Sequence, residues 1–136
     1  PFMAKKINDF MPDYVIQRLS SLLSIPLSKA KILVIGLTYK KDVNDLREST
    51  PLMIFERLAD LALQLDYHDP YHDSVQVGDK LYRSQPLDDD TLTHYDCVLI
   101  LTDHSSIDYQ RLIETAALIY DTRGVIKGSY DNVKQL

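Results

Sequence analysis

Lys31-Ile32-Leu33-Val34-Ile35-Gly36-Leu37, followed by the polar segment Thr38 to Glu48 and then by Ser49-Thr50-Pro51, decides how the rest of the chain is read. An almost continuous apolar run rich in β-branched residues fits a strand covered on both faces, the habit of parallel sheets. After the loop, the Ser49 hydroxyl is free to cap the first amides of a helix, and Pro51 stands at or near its first position. Leu52, Phe55, Leu58 and Ala59 supply one apolar face and Leu61 extends it, which predicts a helix to about Leu63. Leu63-Gln64-Leu65-Asp66-Tyr67 alternates at period two as a second strand, stopped by Asp69-Pro70. Asp73 to Asp90 is less legible, with Lys80 to Arg83 read as a short edge strand and Asp88-Asp89-Asp90 as a solvated turn. Asp96 to Thr102 is a third clear strand, Ser105 or Ser106 is expected to cap a helix over Asp108 to Ala117, and Leu118-Ile119-Tyr120 is a last strand. This alternation predicts an α/β fold: a three-layer, Rossmann-like, doubly wound and mostly parallel sheet.

On the N-terminal side, Ile7, Phe10, Met11, Tyr14, Val15, Leu19, Leu22 and Leu23 recur at helical spacing, with Pro12 either kinking one helix or standing near the start of a second. Residues 1–24 are therefore read as helical, Ser24 to Ala30 as a short linker, and residues 25–136 as one α/β domain. The chain opens at Pro1-Phe2-Met3, which reads as a cut through a longer protein. Its 136 residues carry 15 Lys and Arg against 20 Asp and Glu, a net charge of −5 that argues against general affinity for nucleic acid or anionic membranes. No apolar run is long enough to span a bilayer as a helix, and a cytoplasmic location is expected. The single cysteine, Cys97, lies in the apolar run Cys97 to Leu101 and reads as a buried, inert thiol.

Ligands in doubly wound sheets bind beyond the carboxyl ends of the strands. Four loops lie there: Thr38 to Glu48, His68 to Tyr71, Thr102 to Ser106 and Asp121 to Gly124. Lys40, Lys41, Arg47 and Arg123 make a compact cationic site if the first strand and the last one neighbour each other; otherwise the lysines are ordinary solvated residues. A guanidinium suits a diphosphate because it donates two parallel hydrogen bonds. One glycine, Gly36, follows the first strand, so the glycine-rich dinucleotide fingerprint is absent. His68-Asp69-Pro70-Tyr71-His72-Asp73 invites a metal reading, but Pro70 excludes a helix that would align the ligands, and a hydrogen-bonded turn is preferred with no metal site assigned. Asp103-His104-Ser105-Ser106 does not make a catalytic triad, because neighbours in an extended segment point apart, and no Gly-x-Ser-x-Gly exists for a hydrolase elbow.

The stretch Gly36-Leu37-Thr38-Tyr39-Lys40, continued by Asp45-Leu46-Arg47-Glu48-Ser49, resembles the C-terminal domain of the UDP-glucose/GDP-mannose dehydrogenase family. His68-Asp69-Pro70-Tyr71, Thr102 to Ser106, Asp121-Thr122-Arg123 and Ile7 to Pro12 fall at the family's spacing, so the resemblance covers nearly the whole chain. It implies that residues 1–24 are the end of a long inter-domain linker helix and residues 25–136 the UDP-sugar-binding domain of an NAD-dependent enzyme that oxidises the sugar C6 alcohol to a carboxylate for polysaccharide precursors. Tyr39, Lys40 and Arg123 take the positions that hold the nucleotide sugar, and Arg47 that of an arginine reaching NAD, against a plain salt bridge to Asp42, Asp45 or Glu48. Tyr39 stands where phenylalanine is usual. Cys97 does not match the family's nucleophile, so no catalytic residue is assigned in this chain; NAD and catalysis are expected in N-terminal and central domains of a homo-oligomeric enzyme. The motifs resemble the UDP-N-acetylhexosamine 6-dehydrogenases, with UDP-N-acetylglucosamine placed ahead of UDP-N-acetylmannosamine. The alternative is a non-catalytic nucleotide-binding or interaction module of the same fold.

Overall fold

The computed structural model describes residues 2–38 and 49–136, with residues 2–11 described by backbone alone. In chain order the elements are α1 (Phe2–Leu22), a 3-10 turn (Leu27–Lys29), β1 (Lys31–Ile35), α2 (Thr50–Leu61), β2 (Gln64–His68), β3 (Ser74–Val77), β4 (Lys80–Arg83), α3 (Asp89–Thr93), β5 (Cys97–Ile100), α4 (Tyr109–Thr115), β6 (Ile119–Asp121) and β7 (Val133–Gln135). Five strands form one parallel sheet in the order β2-β1-β5-β6-β7.

Alternation along the strands builds two cores. Ile32, Val34, Cys97 and Leu99 turn to one face, where Val15 and Leu19 of α1 and Ile54, Phe55 and Leu58 of α2 cover them. Leu33, Ile35, Val98, Ile100 and Ile119 turn to the other, against Leu92 of α3, Leu112 of α4 and Ala116 just past its end. Burying such a side chain contributes about 1.5–3 kcal/mol, so the central strands β1 and β5 anchor both layers. The predicted three-layer α/β architecture is what the chain adopts, and Pro12 lies within α1.

The helix starts show how local chemistry sets boundaries. Ser49 caps α2 by accepting the Leu52 N–H at 3.2 Å, with Pro51 in the first turn, as expected. The caps at the other two helices correct the sequence reading. Asp88 is no idle turn residue but the cap of α3, accepting the Thr91 N–H at 2.8 Å. The α4 cap is Asp108, which accepts the Arg111 N–H at 3.2 Å, and neither Ser105 nor Ser106. An ionised carboxylate next to the exposed amides and positive end of a helix outcompetes a hydroxyl two residues earlier.

Two further differences concern strands. Lys80–Arg83 does form a strand, but it pairs antiparallel with β3 in a separate ribbon rather than joining the main sheet. The ribbon is stitched to the β2 edge through a bridge between Tyr67 and Ser84. β7, unforeseen in the sequence, extends the sheet beyond β6.

Candidate functional site

β1 pairs with β2 on one side and β5 on the other, so the winding reverses there and the loops beyond Ile35, His68 and Ile100 meet. Gly36 makes the first turn possible. Its φ is +90°, and a Cβ there would lie 2.4 Å from the Thr102 Cβ, so only glycine lets the exit of β1 pass against the exit of β5. The lone glycine after the strand thus serves the approach of two protein segments.

Asp69 occupies the centre of this edge. It is 2% exposed and uses both carboxylate oxygens: Oδ2 accepts the Leu37 N–H and Oδ1 accepts the Tyr71 N–H, each at 2.8 Å. His104 places Nε2 3.7 Å from Oδ2, and neither side chain reaches solvent. Burial pushes the Asp69 carboxyl up, but His104 and the amides of Leu37 and Tyr71 outweigh it and hold the group below the usual carboxylate range. At 3.7 Å the imidazole contact is electrostatic rather than a well-formed hydrogen bond, so the two short amide bonds carry the geometry. The Tyr71 ring leans on His104, 5.5 Å between centroids.

Around this pair the strand exits are tied together. The Ser49 hydroxyl donates to the Leu37 carbonyl at 2.6 Å, the Thr102 hydroxyl donates to the Thr38 carbonyl, and the Thr122 hydroxyl donates to the Ile100 carbonyl at 2.7 Å. Asp121, buried at the end of β6, accepts the N–H groups of Arg123 at 3.0 Å and Ile126 at 2.9 Å, and the Gln135 side chain at 3.0 Å. That turn carries the exposed Arg123 on the same edge of the sheet.

The residues expected to bind ligand are distributed as follows. Tyr39, Lys40, Lys41 and Arg47 lie outside the described residues. Arg123 is at a strand end, but the first and last predicted strands are not neighbours: β5 separates β6 from β1, a gap of about 10 Å between strand axes. The condition set for convergence therefore fails as stated, and only long side chains reach across. The His68 to Asp73 segment is the hydrogen-bonded turn preferred from sequence, with Tyr71 N–H on Asp69 and the His68 Nδ1 2.7 Å from the Gln85 carbonyl. Among the described residues no group of three or more His, Cys, Asp or Glu is placed to hold a metal ion. His104 faces Asp69, while Asp103 accepts the Tyr109 hydroxyl at 2.9 Å. Cys97 is fully buried, and burial pushes its thiol up to about 12. Sequence reasoning missed Asp69 and His104 as partners; the Asp-Pro turn was the visible signal for the first, and nothing local marks the second.

Residues 33–128 match the model of a family described as UDP-glucose/GDP-mannose dehydrogenase family, UDP binding domain. The chain belongs to this family. The match to its UDP binding domain runs from β1 past Asp121 and so contains all four strand-end loops. A UDP-N-acetyl-D-mannosamine dehydrogenase of Methanococcus vannielii is 31% identical over 132 residues, which cover 90% of this chain and 30% of the relative. A UDP-N-acetyl-D-glucosamine 6-dehydrogenase of Salmonella typhi is 22% identical over 139 residues, 96% of this chain and 32% of that one. The structure of the UDP-N-acetyl-mannosamine dehydrogenase of Staphylococcus aureus superposes with a TM-score of 0.71 at 30% identity, covering 96% of this chain and 31% of its own. The chain therefore spans about 30% of the length of the relatives it matches. No helix among the described residues is long and apolar enough to cross a membrane.

Proposed function

We propose that this chain binds the UDP-sugar of an NAD-dependent nucleotide-sugar 6-dehydrogenase, which oxidises the sugar C6 alcohol to a carboxylate. The observation that carries the reading is the convergence of the β1, β2 and β5 exits around Asp69, inside the segment that matches the UDP binding domain. Tyr39 and Lys40, in the loop rooted at Leu37 and Ser49, and Arg123, on the turn set by Asp121, hold the nucleotide sugar. Two cations on a protein of net charge −5 make a local site for a diphosphate, whose oxygens accept charge-assisted hydrogen bonds. The hexosamine dehydrogenases among the relatives favour a UDP-N-acetylhexosamine.

NAD supplies hydride acceptance in such an enzyme. The described residues of this domain do not fit it as its holder, because Gly36 is filled against Thr102 and no further glycine stands between it and Ser49. Its place is in an N-terminal domain of the same enzyme, with a central domain between and subunits paired, and Arg47 is the residue of this chain directed to it. Within the domain the work is binding and charge neutralisation, and the reacting groups come from elsewhere.

Titrating the chain with UDP, by calorimetry and amide shifts, is expected to show binding centred on residues 36–49 and 121–124. Lys40→Ala and Arg123→Ala should each weaken it about 10-fold or more, the worth of one charge-assisted hydrogen bond. Shifts confined to surfaces away from both loops, or affinities unchanged in both variants, overturn the assignment.

A further inference from the structure

Resting on that reading, we propose that Asp69 and Ser49 are positioning residues for UDP binding: they hold the two peptide groups on either side of the Leu37 Cα and so fix the main chain that flanks residues 39–48. The segment departs from Leu37-Thr38 and returns at Ser49. Asp69 takes the Leu37 N–H at 2.8 Å and Ser49 gives its hydroxyl proton to the Leu37 carbonyl at 2.6 Å, so the two consecutive peptide groups that flank the Leu37 Cα are tied, one to Asp69 and the other to Ser49. The Ser49 oxygen at the same time accepts the Leu52 N–H, which fixes that junction to the start of α2. Thr102 adds a bond to the next carbonyl, that of Thr38. Leu37 and Thr38 are 0% exposed, Ser49 and Asp69 2%, so water does not compete for these bonds.

The chemistry of Asp69 is specific to this task. A carboxylate offers an acceptor to Leu37 on one oxygen and to Tyr71 on the other, while its own N–H reaches the Ser84 hydroxyl at 3.0 Å. An asparagine has one acceptor oxygen and would turn an N–H₂ toward one of the two amides. Burying a charge is costly, and apolar replacements of buried ion pairs are often as stable, so a buried carboxylate held by His104 is weak evidence for stability alone. It does define the direction of the Leu37 peptide, and a displacement of about 1 Å at the root of a binding loop costs binding far out of proportion to the bond lost.

The test is a double-mutant cycle read by UDP calorimetry on the chain, using Asp69→Asn, Ser49→Ala, Lys40→Ala and the two pairs with Lys40→Ala, with thermal unfolding in parallel. Each positioning variant is expected to weaken UDP binding about 10-fold in the wild-type background and at most about 3-fold once Lys40 is gone, because the loss is transmitted through the loop. A role in stability alone lowers the unfolding temperature but leaves the two backgrounds with equal losses of affinity, and that result overturns the inference. Unchanged affinity in both positioning variants overturns it too. If Asp69→Asn does not fold, the Ser49→Ala cycle decides, since it releases the adjacent peptide group, on the other side of the Leu37 Cα. Wild-type chain that binds no UDP overturns the proposed function and this inference with it; wild-type binding with an additive cycle overturns the inference alone.

Discussion

Asp69 places a carboxylate where no solvent reaches it, and its ionisation is held below the usual range by the partners that it positions. The sign of the pH effect follows. Between the lowered folded value and the ordinary 3.8, the unfolded chain binds more protons than the folded one, so stability rises with pH through that window and is lost as pH falls. Denaturant unfolding followed from pH 6 downward should show this acid loss in the wild type and a flatter profile in Asp69→Asn, which has no proton to take up there. The residue itself was visible in the sequence as the start of an Asp-Pro turn, because an aspartate that accepts an amide two residues on is a local event. Its bond to Leu37, 32 residues away, was not, since nothing at either position encodes the other. The same split appears at the helix caps. Ser49 was legible because Pro51 and an apolar face follow it, whereas Asp88-Asp89-Asp90 offers three equal caps and only the packing of Leu92 selects Asp88.

Elements pack through a few large side chains, and α2 does so through Phe55. Its ring meets Tyr67 of β2 edge-on with centroids 5.7 Å apart and Tyr82 of β4 at 5.0 Å, so one residue joins the helix, the sheet edge and the ribbon. Phe55→Ala should cost about 3–5 kcal/mol in denaturant unfolding, the usual price of a large buried cavity. Hydrogen exchange should show the β3–β4 amides losing protection most, because the ribbon has lost its aromatic anchor. The apolar face of α2 was readable from its spacing. The ribbon was not: its two strands are four residues each, joined through Gly78-Asp79 with Gly78 at φ +59°, and a Gly-Asp pair is a weaker hairpin signal than Asn-Gly. β7 escaped for a similar reason, since three half-polar residues at a sheet edge show no alternation.

Across the whole molecule, the far end of the sheet reaches back to the turn at the carboxyl end of β6. Gln135 on β7 donates to Asp121 at 3.0 Å and to the Ile126 carbonyl at 2.8 Å, and receives Arg18 of α1 at 3.2 Å. Asn132 donates to Ile113 and Ala116 at 2.9 Å each. Removing residues 131–136 should therefore lower stability by about 2–4 kcal/mol, a few hydrogen bonds at roughly 1 kcal/mol apiece, and a denaturant midpoint shift measures it. The sequence by itself determined the α/β class, the face of each central strand and the family that the chain resembles. Those properties rest on periodicity, capping and motif spacing, all encoded within a few residues. The tertiary structure alone decided that β5 lies between β1 and β6, that Asp69 and His104 meet, and that Ser49 closes onto Leu37. Strand order and buried polar pairing depend on which distant surfaces exclude water together, and that is settled only when the two cores close on the sheet.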